Sequence, residues 1–459
     1  MADLLFRLGS IGPVPSAEIR LAGMTVITGG NNTGKTYLAH SIFGVLDSVR
    51  HRYTASGFYR RDRIAIENAE LISQQLDSEG VARLELAPLE PALQELVSHI
   101  SKGVASRLGS RFAADPTLFS QAEIQARVSN LDYSVLQGFS RAVRIGRSDA
   151  AIEIRYDAET QSLIFETLAG YADTAPERVQ FWVRAAATEA MLRAAVPGVF
   201  ISSAERTGAV IFQRELDYTA AQLLDALYES ENPAEREAVV RNHDFARPAA
   251  VDANIDFIRR IPDMRREPSP IVKANPAIQI LIEGMAGGRY KATGQQLTFD
   301  TGQVSLPLIA SSSAIRSLVD LNFYILYRAK PGDFLIIDEP ELILHPANQR
   351  KLARLLALVH NQGVKVLITT HSDYIVRELS ALVSLSSVAV PAPDEVEEVL
   401  REQGITRSMA LDPQKVKVYS TSATGVHDVP VSDEGIEATS FDDVIDDQNR
   451  LVDMVGWAE

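Results

Sequence analysis

The chain predicts an α/β fold built around a parallel sheet, and three observations predict it. The mostly apolar run 24–27 leads into a glycine-rich loop and then a helix-like stretch, 37–46. A second apolar run, 334–337, ends in the carboxylates Asp338 and Glu339. A third, 364–369, ends in Thr370-His371-Ser372. Continuous apolar runs that finish in polar residues describe strands covered on both faces, and open parallel sheets bind ligands at the carboxyl ends of such strands.

Bulk composition narrows the class. With 459 residues and 46% hydrophobic content, the chain can bury one large core or two to three smaller ones. No run of eighteen apolar residues exists, and the N-terminus lacks the pattern of an export signal, so a soluble, cytoplasmic protein without a membrane partner is expected. The absence of cysteine excludes disulfides and thiolate metal sites, and the eight histidines show no metal-ligand spacing. Net charge is −15, but residues 391–459 hold sixteen Asp/Glu against five Lys/Arg, which leaves the rest nearly neutral. A nearly neutral body neither indicates nor excludes DNA as a partner. Its basic clusters, residues 50–63, the trio Arg141, Arg144 and Arg147, and residues 259–266, read as solvated faces.

Taken in order, residues 4–8, 18–21 and 25–28 read as three short strands separated by Gly/Pro turns. From 46 to 200 the pattern is mainly helical, with apolar steps of three and four around 64–76, 89–100 and 122–143. Within it, 151–156 and 162–167 alternate around a turn that begins at Asp157, which predicts a hairpin, and 176–195 predicts a further helix. Residues 234–276 read as loops and short helices. The segment 277–310 reads as a helix followed by a hairpin, 297–299 with 304–308, in an antiparallel β subdomain. After residue 383 come a helix at 394–403, a strand at 415–419 and the acidic stretch 440–447, read as the solvated face of an amphipathic helix. The expected division is an N-lobe at 1–45, a helical insertion with a hairpin at 46–200, a C-lobe at 201–385 and an acidic extension at 386–459.

The chemistry-bearing motif is Gly29-Gly30-Asn31-Asn32-Thr33-Gly34-Lys35-Thr36. Set between a strand and a helix it has the pattern of a phosphate-binding P-loop, whose backbone N–H groups curl around an anion at a helix N-terminus. Lys35 is then expected to reach the β- and γ-phosphates of ATP, and the Thr36 hydroxyl to hold Mg²⁺. Asp338 suits the Mg²⁺ shell, Glu339 the base or orienter of the attacking water, and His371 a hydrogen bond to the γ-phosphate or that water. Ser311, Ser312 and Ser313 open an apolar helix; alone they are a cap, and they also offer hydroxyl and N–H donors to an anion. Arg206, in the segment Ile201-Ser202-Ser203-Ala204-Glu205-Arg206-Thr207-Gly208, which reads as a strand entering a polar turn, either stabilises transition-state charge or pairs with Glu205 to brace the lobe against the insertion.

The order of these motifs, with Asp338-Glu339-Pro340-Glu341, His345-Pro346 and Gln349 between the last two, resembles the ATP-binding-cassette heads of the structural-maintenance, RecF and overcoming-lysogenization-defect group. The resemblance covers residues 1–45 and about 300–380. It implies a P-loop NTPase of ABC-ATPase head type, ATP and Mg²⁺ as ligands, hydrolysis, and a homodimer or higher oligomer in which Ser311–Ser313 serve as the signature. The chain departs from the group at Ala314, where glycine is usual. Overcoming-lysogenization-defect proteins carry a nuclease domain after the ATPase, and only about 75 residues follow Val383 here. The implied architecture is therefore that of stand-alone ATPases of anti-phage systems such as Septu and PARIS, with a nuclease effector encoded nearby; a RecF-like repair ATPase acting on DNA ends or gaps is the alternative.

Overall fold

In a computed structural model, residues 3–54, 64–67, 69–144, 150–168, 171, 175–212, 230, 232, 247–294, 296–437 and 450 are described. Arg60, Arg61, Arg63, Arg147 and the acidic stretch 440–447 lie outside them.

The strands are β1 Asp3–Ile11, β2 Val14–Leu21, β3 Met24–Gly29, β4 Val81–Glu85, β5 Glu123–Ser129, β6 Ser140–Arg144, β7 Ala150–Asp157, β8 Ser162–Thr167 and β9 Val199–Ser202. They continue with β10 Arg289–Thr293, β11 Gln296–Asp300, β12 Ser305–Pro307, β13 Phe334–Asp338, β14 Lys365–Thr370, β15 Val416–Ser422 and β16 Gly425–Val429. The helices up to residue 195 are α1 Lys35–Thr54, α2 Ala69–Glu79, α3 Glu90–Ala105, α4 Leu108–Arg111 and α5 Pro176–Ala195. After it come α6 Ala249–Arg260, α7 Pro270–Ala274, α8 Ala277–Ala286, α9 Ser313–Ser317, α10 Val319–Tyr327, α11 Pro346–Asn361, α12 Asp373–Ser384 and α13 Asp394–Gln403.

The central sheet has the order β16-β15-β3-β14-β13-β9. β15, β3, β14, β13 and β9 run parallel, and β16 closes one edge antiparallel to β15. The apolar runs at 24–27, 334–337 and 364–369 thus become three adjacent strands, all buried. Alternation along each strand divides its residues between two cores, as a period of two requires. Ile27, Phe334, Ile336 and Leu367 face the core that holds α1, α3, α5 and the β1 sheet. Met24, Val26, Leu335, Ile337, Val366 and Ile368 face the core of α8, α10, α11 and α12. The architecture is the expected α/β P-loop head with antiparallel β subdomains: β2-β1-β5, β4-β8-β7-β6 and β10-β11-β12 are separate antiparallel sheets.

Two segments differ from expectation. Residues 122–143, expected as helix, form β5 and β6 with a 3₁₀ turn between them, so the insertion carries more strands than the one expected hairpin. In β5 the residues Ile124 and Ala126 are buried while Glu123, Gln125 and Arg127 are exposed. That alternation competes with a helical reading, and pairing with β1 from Asp3↔Ser129 to Gly9↔Glu123 decides it by covering the open edge of the N-terminal sheet. The insertion also shares its apolar core with the first face of the central sheet instead of standing apart. The residues after 386 likewise do more than trail from the lobe: β15 lies in register beside the loop-bearing strand, Val416↔Met24 to Thr421↔Gly29.

Candidate nucleotide site

The glycine-rich loop leaves β3 and enters α1, and two of its glycines stand where a side chain has no room. Gly29 has φ +142° and a Cβ there would strike Thr421; Gly34 has φ +92° and a Cβ would strike Val14. Gly30, Asn31 and Asn32 are exposed, with Asn32 at φ +60°, so the crest of the loop opens to solvent. Thr33 Oγ1 donates to the Gly30 carbonyl (2.8 Å) and sits 2.5 Å from Thr421 Oγ1, whose hydroxyl donates to the Thr28 carbonyl (3.1 Å). The far end of the chain therefore buttresses the loop. Lys35 Nζ donates to the carbonyls of Gly29 (2.9 Å) and Gly30 (2.7 Å). Burial lowers its pKa, opposed by the carboxylates Glu339, Glu341 and Asp338.

The adjacent strand ends converge on this loop. Thr36 Oγ1 donates to Asp338 Oδ1 (3.2 Å), and Thr369 Oγ1 from β14 donates to the same oxygen. His40 Nε2, one helical turn beyond Thr36, lies 3.4 Å from Asp338 Oδ2. Asp338 is fully buried, which alone would raise its pKa, but His40, Thr369 and Thr36 together hold it below the usual carboxylate range. A hydroxyl and a carboxylate are hard oxygen donors of the kind Mg²⁺ takes alongside phosphate oxygens and water, so these residues fit that ion. Among the described residues no group of three His, Cys, Asp or Glu forms a metal site, so the ion would depend on phosphate for most of its shell.

Glu339 has φ +48°, a left-handed conformation that a non-glycine residue keeps only when its surroundings impose it. They do. Its N–H donates to the carbonyl and hydroxyl oxygens of Thr369, both at 3.1 Å, and its own carbonyl accepts from Arg206 Nη2 (2.9 Å). Burial and the neighbouring Asp338 raise the Glu339 pKa. His371 Nδ1 lies between two carboxylates, 3.7 Å from Glu339 Oε1 and 3.5 Å from Glu341 Oε1, and the His371 backbone N–H donates to Glu341 Oε1 (2.8 Å). Gln349 accepts from the Ser372 hydroxyl (2.5 Å) and donates to the Leu344 carbonyl (2.9 Å), while His345 caps α11 through the Ala347 N–H (3.2 Å). Gln349 therefore ties the start of α11 to the turn Thr370-His371-Ser372.

Arg206 is placed differently from either expectation. Glu205 is exposed, and the buried Arg206 guanidinium donates to four carbonyls: Ser203 (3.0 Å), Ser317 (3.1 Å), Asp338 (2.9 Å) and Glu339 (2.9 Å). Its role is to tie the end of β9, the acidic pair and α9 into one unit. Ser311, Ser312 and Ser313 are the predicted residues not brought to the loop. Ser312 caps α9 through the Ile315 N–H (3.3 Å), and the Ser311 hydroxyl donates to the Pro307 carbonyl (3.3 Å). Within one chain they reach the site through Ser317 and Arg206. Sequence reasoning missed His40, Thr369 and Thr421. His40 had a usable signal, its four-residue spacing from Thr36; Thr421 had none, being joined to the loop only by the sheet.

Residues 211–376 match the family model described as "AAA ATPase domain", a span that holds Asp338, Glu339 and His371 and covers about a third of the chain. No curated protein matches the chain. Among solved structures, it is similar to the Smc head domain of Pyrococcus furiosus with an extended coiled coil, bound to the C-terminal domain of ScpA. That match has 11% identity and a TM-score of 0.34, covering 97% of this chain and 100% of the other. An SmcHead bound to the C-winged helix domain of ScpA matches at 11% identity and TM-score 0.34, covering 93% and 96%. The SMC head domain from Thermotoga maritima matches at 11% and 0.28, covering 94% and 98%.

Proposed function

We propose that this ATP-hydrolysing P-loop ATPase works as a dimer of heads, closed by nucleotide, and that the closed dimer engages DNA in the manner of a RecF-like repair ATPase. The observation that carries the reading is the convergence of Lys35, Thr36, Asp338, Glu339 and His371 at the carboxyl ends of β3, β13 and β14. Lys35 would exchange its two loop carbonyls for phosphate oxygens, with the loop N–H groups around them. Mg²⁺ held beside Thr36 and Asp338 would supply charge neutralisation for the phosphoryl group. Glu339, held in its left-handed conformation, orients the attacking water, and His371 beside it steadies that water or the γ-phosphate. In this reading Ser312 and Ser313, which open α9 and are not buried, face a second copy's nucleotide in a composite site, while the buried Ser311 braces the turn before them. A cytoplasmic location is part of this proposal; no helix among the described residues is long and apolar enough to cross a membrane.

The test is ATP turnover, size in solution and DNA binding for wild type, Lys35→Ala and Glu339→Gln. The expected result is nucleotide binding lost in the first variant, ATP-dependent dimers trapped in the second, and salt-dependent DNA affinity that needs the dimer. DNA binding that is absent at moderate salt would sink the repair reading. A second reading keeps the ATPase and replaces DNA by a separate effector, such as the nuclease of a Septu- or PARIS-like anti-phage system. The structural role of β15 is compatible with it: that strand builds the ATPase sheet beside the loop-bearing strand and is committed to this lobe. Nuclease activity of the purified chain that survives Lys35→Ala would exclude that reading.

A further inference from the structure

We propose that His40 is a positioning residue for hydrolysis, donating from Nε2 to Asp338 Oδ2 and fixing the plane of the carboxylate that faces the Mg²⁺ site. The inference rests on the ATPase reading of that site. Thr36 and His40 are one turn apart on α1 and address different oxygens of the same side chain: Thr36 donates to Oδ1 at 3.2 Å, and His40 Nε2 lies 3.4 Å from Oδ2. Oδ1 has a second donor in Thr369. Oδ2 has no hydrogen bond, and neither does His40 Nε2, although both atoms are buried. A buried donor and a buried acceptor, each lacking another partner and facing one another, are complementary, and a small rotation of either group closes the bond.

The rest of the imidazole is held from the insertion. Its ring stacks on Phe112 at 6.0 Å and an interplanar angle of 9°. Phe112, just after α4, packs in turn on Tyr37 (4.9 Å) and Phe119 (5.3 Å). When the Thr36 hydroxyl turns to a cation, Asp338 keeps Thr369 on one oxygen and needs an anchor on the other. His40 is the group in place for that, and it makes the metal-facing carboxylate answer to the packing of the insertion.

The experiment uses the full chain with His40→Leu, which keeps apolar volume without a donor, and His40→Gln, which keeps a donor. Turnover is measured together with Mn²⁺ affinity in the presence of nucleotide, followed by the free-Mn²⁺ electron paramagnetic resonance signal. The Leu variant should lose about tenfold in kcat and a similar factor in Mn²⁺ affinity, with metal-free nucleotide binding unchanged, and the Gln variant should recover most of both. Two wild-type-like variants, or two equally impaired ones, would overturn the assignment. If the Leu variant does not fold, Phe112→Leu replaces it: weakened Mn²⁺ binding supports the role, and unchanged binding overturns it. A wild-type chain that hydrolyses no ATP would refute the ATPase reading instead, while the Mn²⁺ comparison would still judge His40.

Discussion

Replacing Arg206 by alanine tests whether the acidic pair is held in place by a single side chain. The guanidinium makes hydrogen bonds to four buried or half-buried carbonyls, on Ser203 just after β9, on α9, on Asp338 and on Glu339. A hydrogen bond to a charged partner contributes about 1.5–3 kcal/mol net. Four such bonds bound the loss from above, but water entering the vacated space re-solvates part of the carbonyls, so the expected loss is about 3–5 kcal/mol. That is a large share of a typical folding free energy of about 5–15 kcal/mol. The same side chain restrains Glu339 at φ +48°, a conformation that costs a non-glycine residue about 1–2 kcal/mol. Once its carbonyl is released, Glu339 should relax away from the water position. We therefore expect Arg206→Ala to lower the urea midpoint at unchanged m value, and to cut kcat at least about tenfold. Nucleotide affinity should stay within about threefold, since Lys35 and the loop do not touch Arg206. Arg206→Lys should fall between, because an ammonium has three donors for four carbonyls. A stability loss under about 1 kcal/mol with unchanged turnover would refute the reasoning.

Glu339→Gln should retain ATP binding and slow turnover at least about tenfold, equivalent to about 1.4 kcal/mol in the barrier; a single-turnover rate equal to wild type removes Glu339 from the mechanism. Thr421→Val removes the hydroxyl that joins the Thr28 carbonyl to Thr33, and should cost about 1 kcal/mol of stability and weaken ATP binding in a fluorescent-nucleotide titration. Nucleotide affinity identical to wild type would show that β15 does not buttress the loop. Asp333, buried at the start of β13, has its pKa raised by burial from 3.8 to about 6 despite accepting from the Lys330 N–H and the Tyr324 hydroxyl. The folded state binds this proton more tightly than the unfolded chain does, so the associated stability is present at acid pH and lost as pH rises through about 6. Asp333→Asn should remove that loss, worth up to about 3 kcal/mol, and unfolding midpoints of wild type and variant that stay parallel from pH 4 to about 8 would count against it.

The three strands that carry the site were legible because each is mostly apolar and ends in polar residues, a signature of strands buried on both faces. The hairpin β7–β8 was legible from its turn at Asp157, and the helices α5 and α8 from stretches that no proline interrupts after their first residue. The stretch 122–143 was not, since isolated apolar residues there satisfy either a helical or an alternating pattern, and the edge of β1 chose between them. Arg206 was visible as a charged residue in a polar turn, but its partners are four main-chain carbonyls on three segments, and main-chain acceptors leave no mark in a sequence.

By itself, the sequence determined the local chemistry: a glycine loop able to cradle phosphate, a lysine and threonine at its end, an acidic pair closing one strand, and a histidine closing another. These depend on neighbours along the chain, whose spacing is set by covalent geometry. Only the tertiary structure decided that His40 faces Asp338, that Arg206 grips the acidic pair, and that Thr421, 388 positions from Thr33, supports the phosphate loop. Such contacts arise when strands distant in sequence pair side by side, and strand order is chosen by the burial of both sheet faces at once rather than by any local pattern.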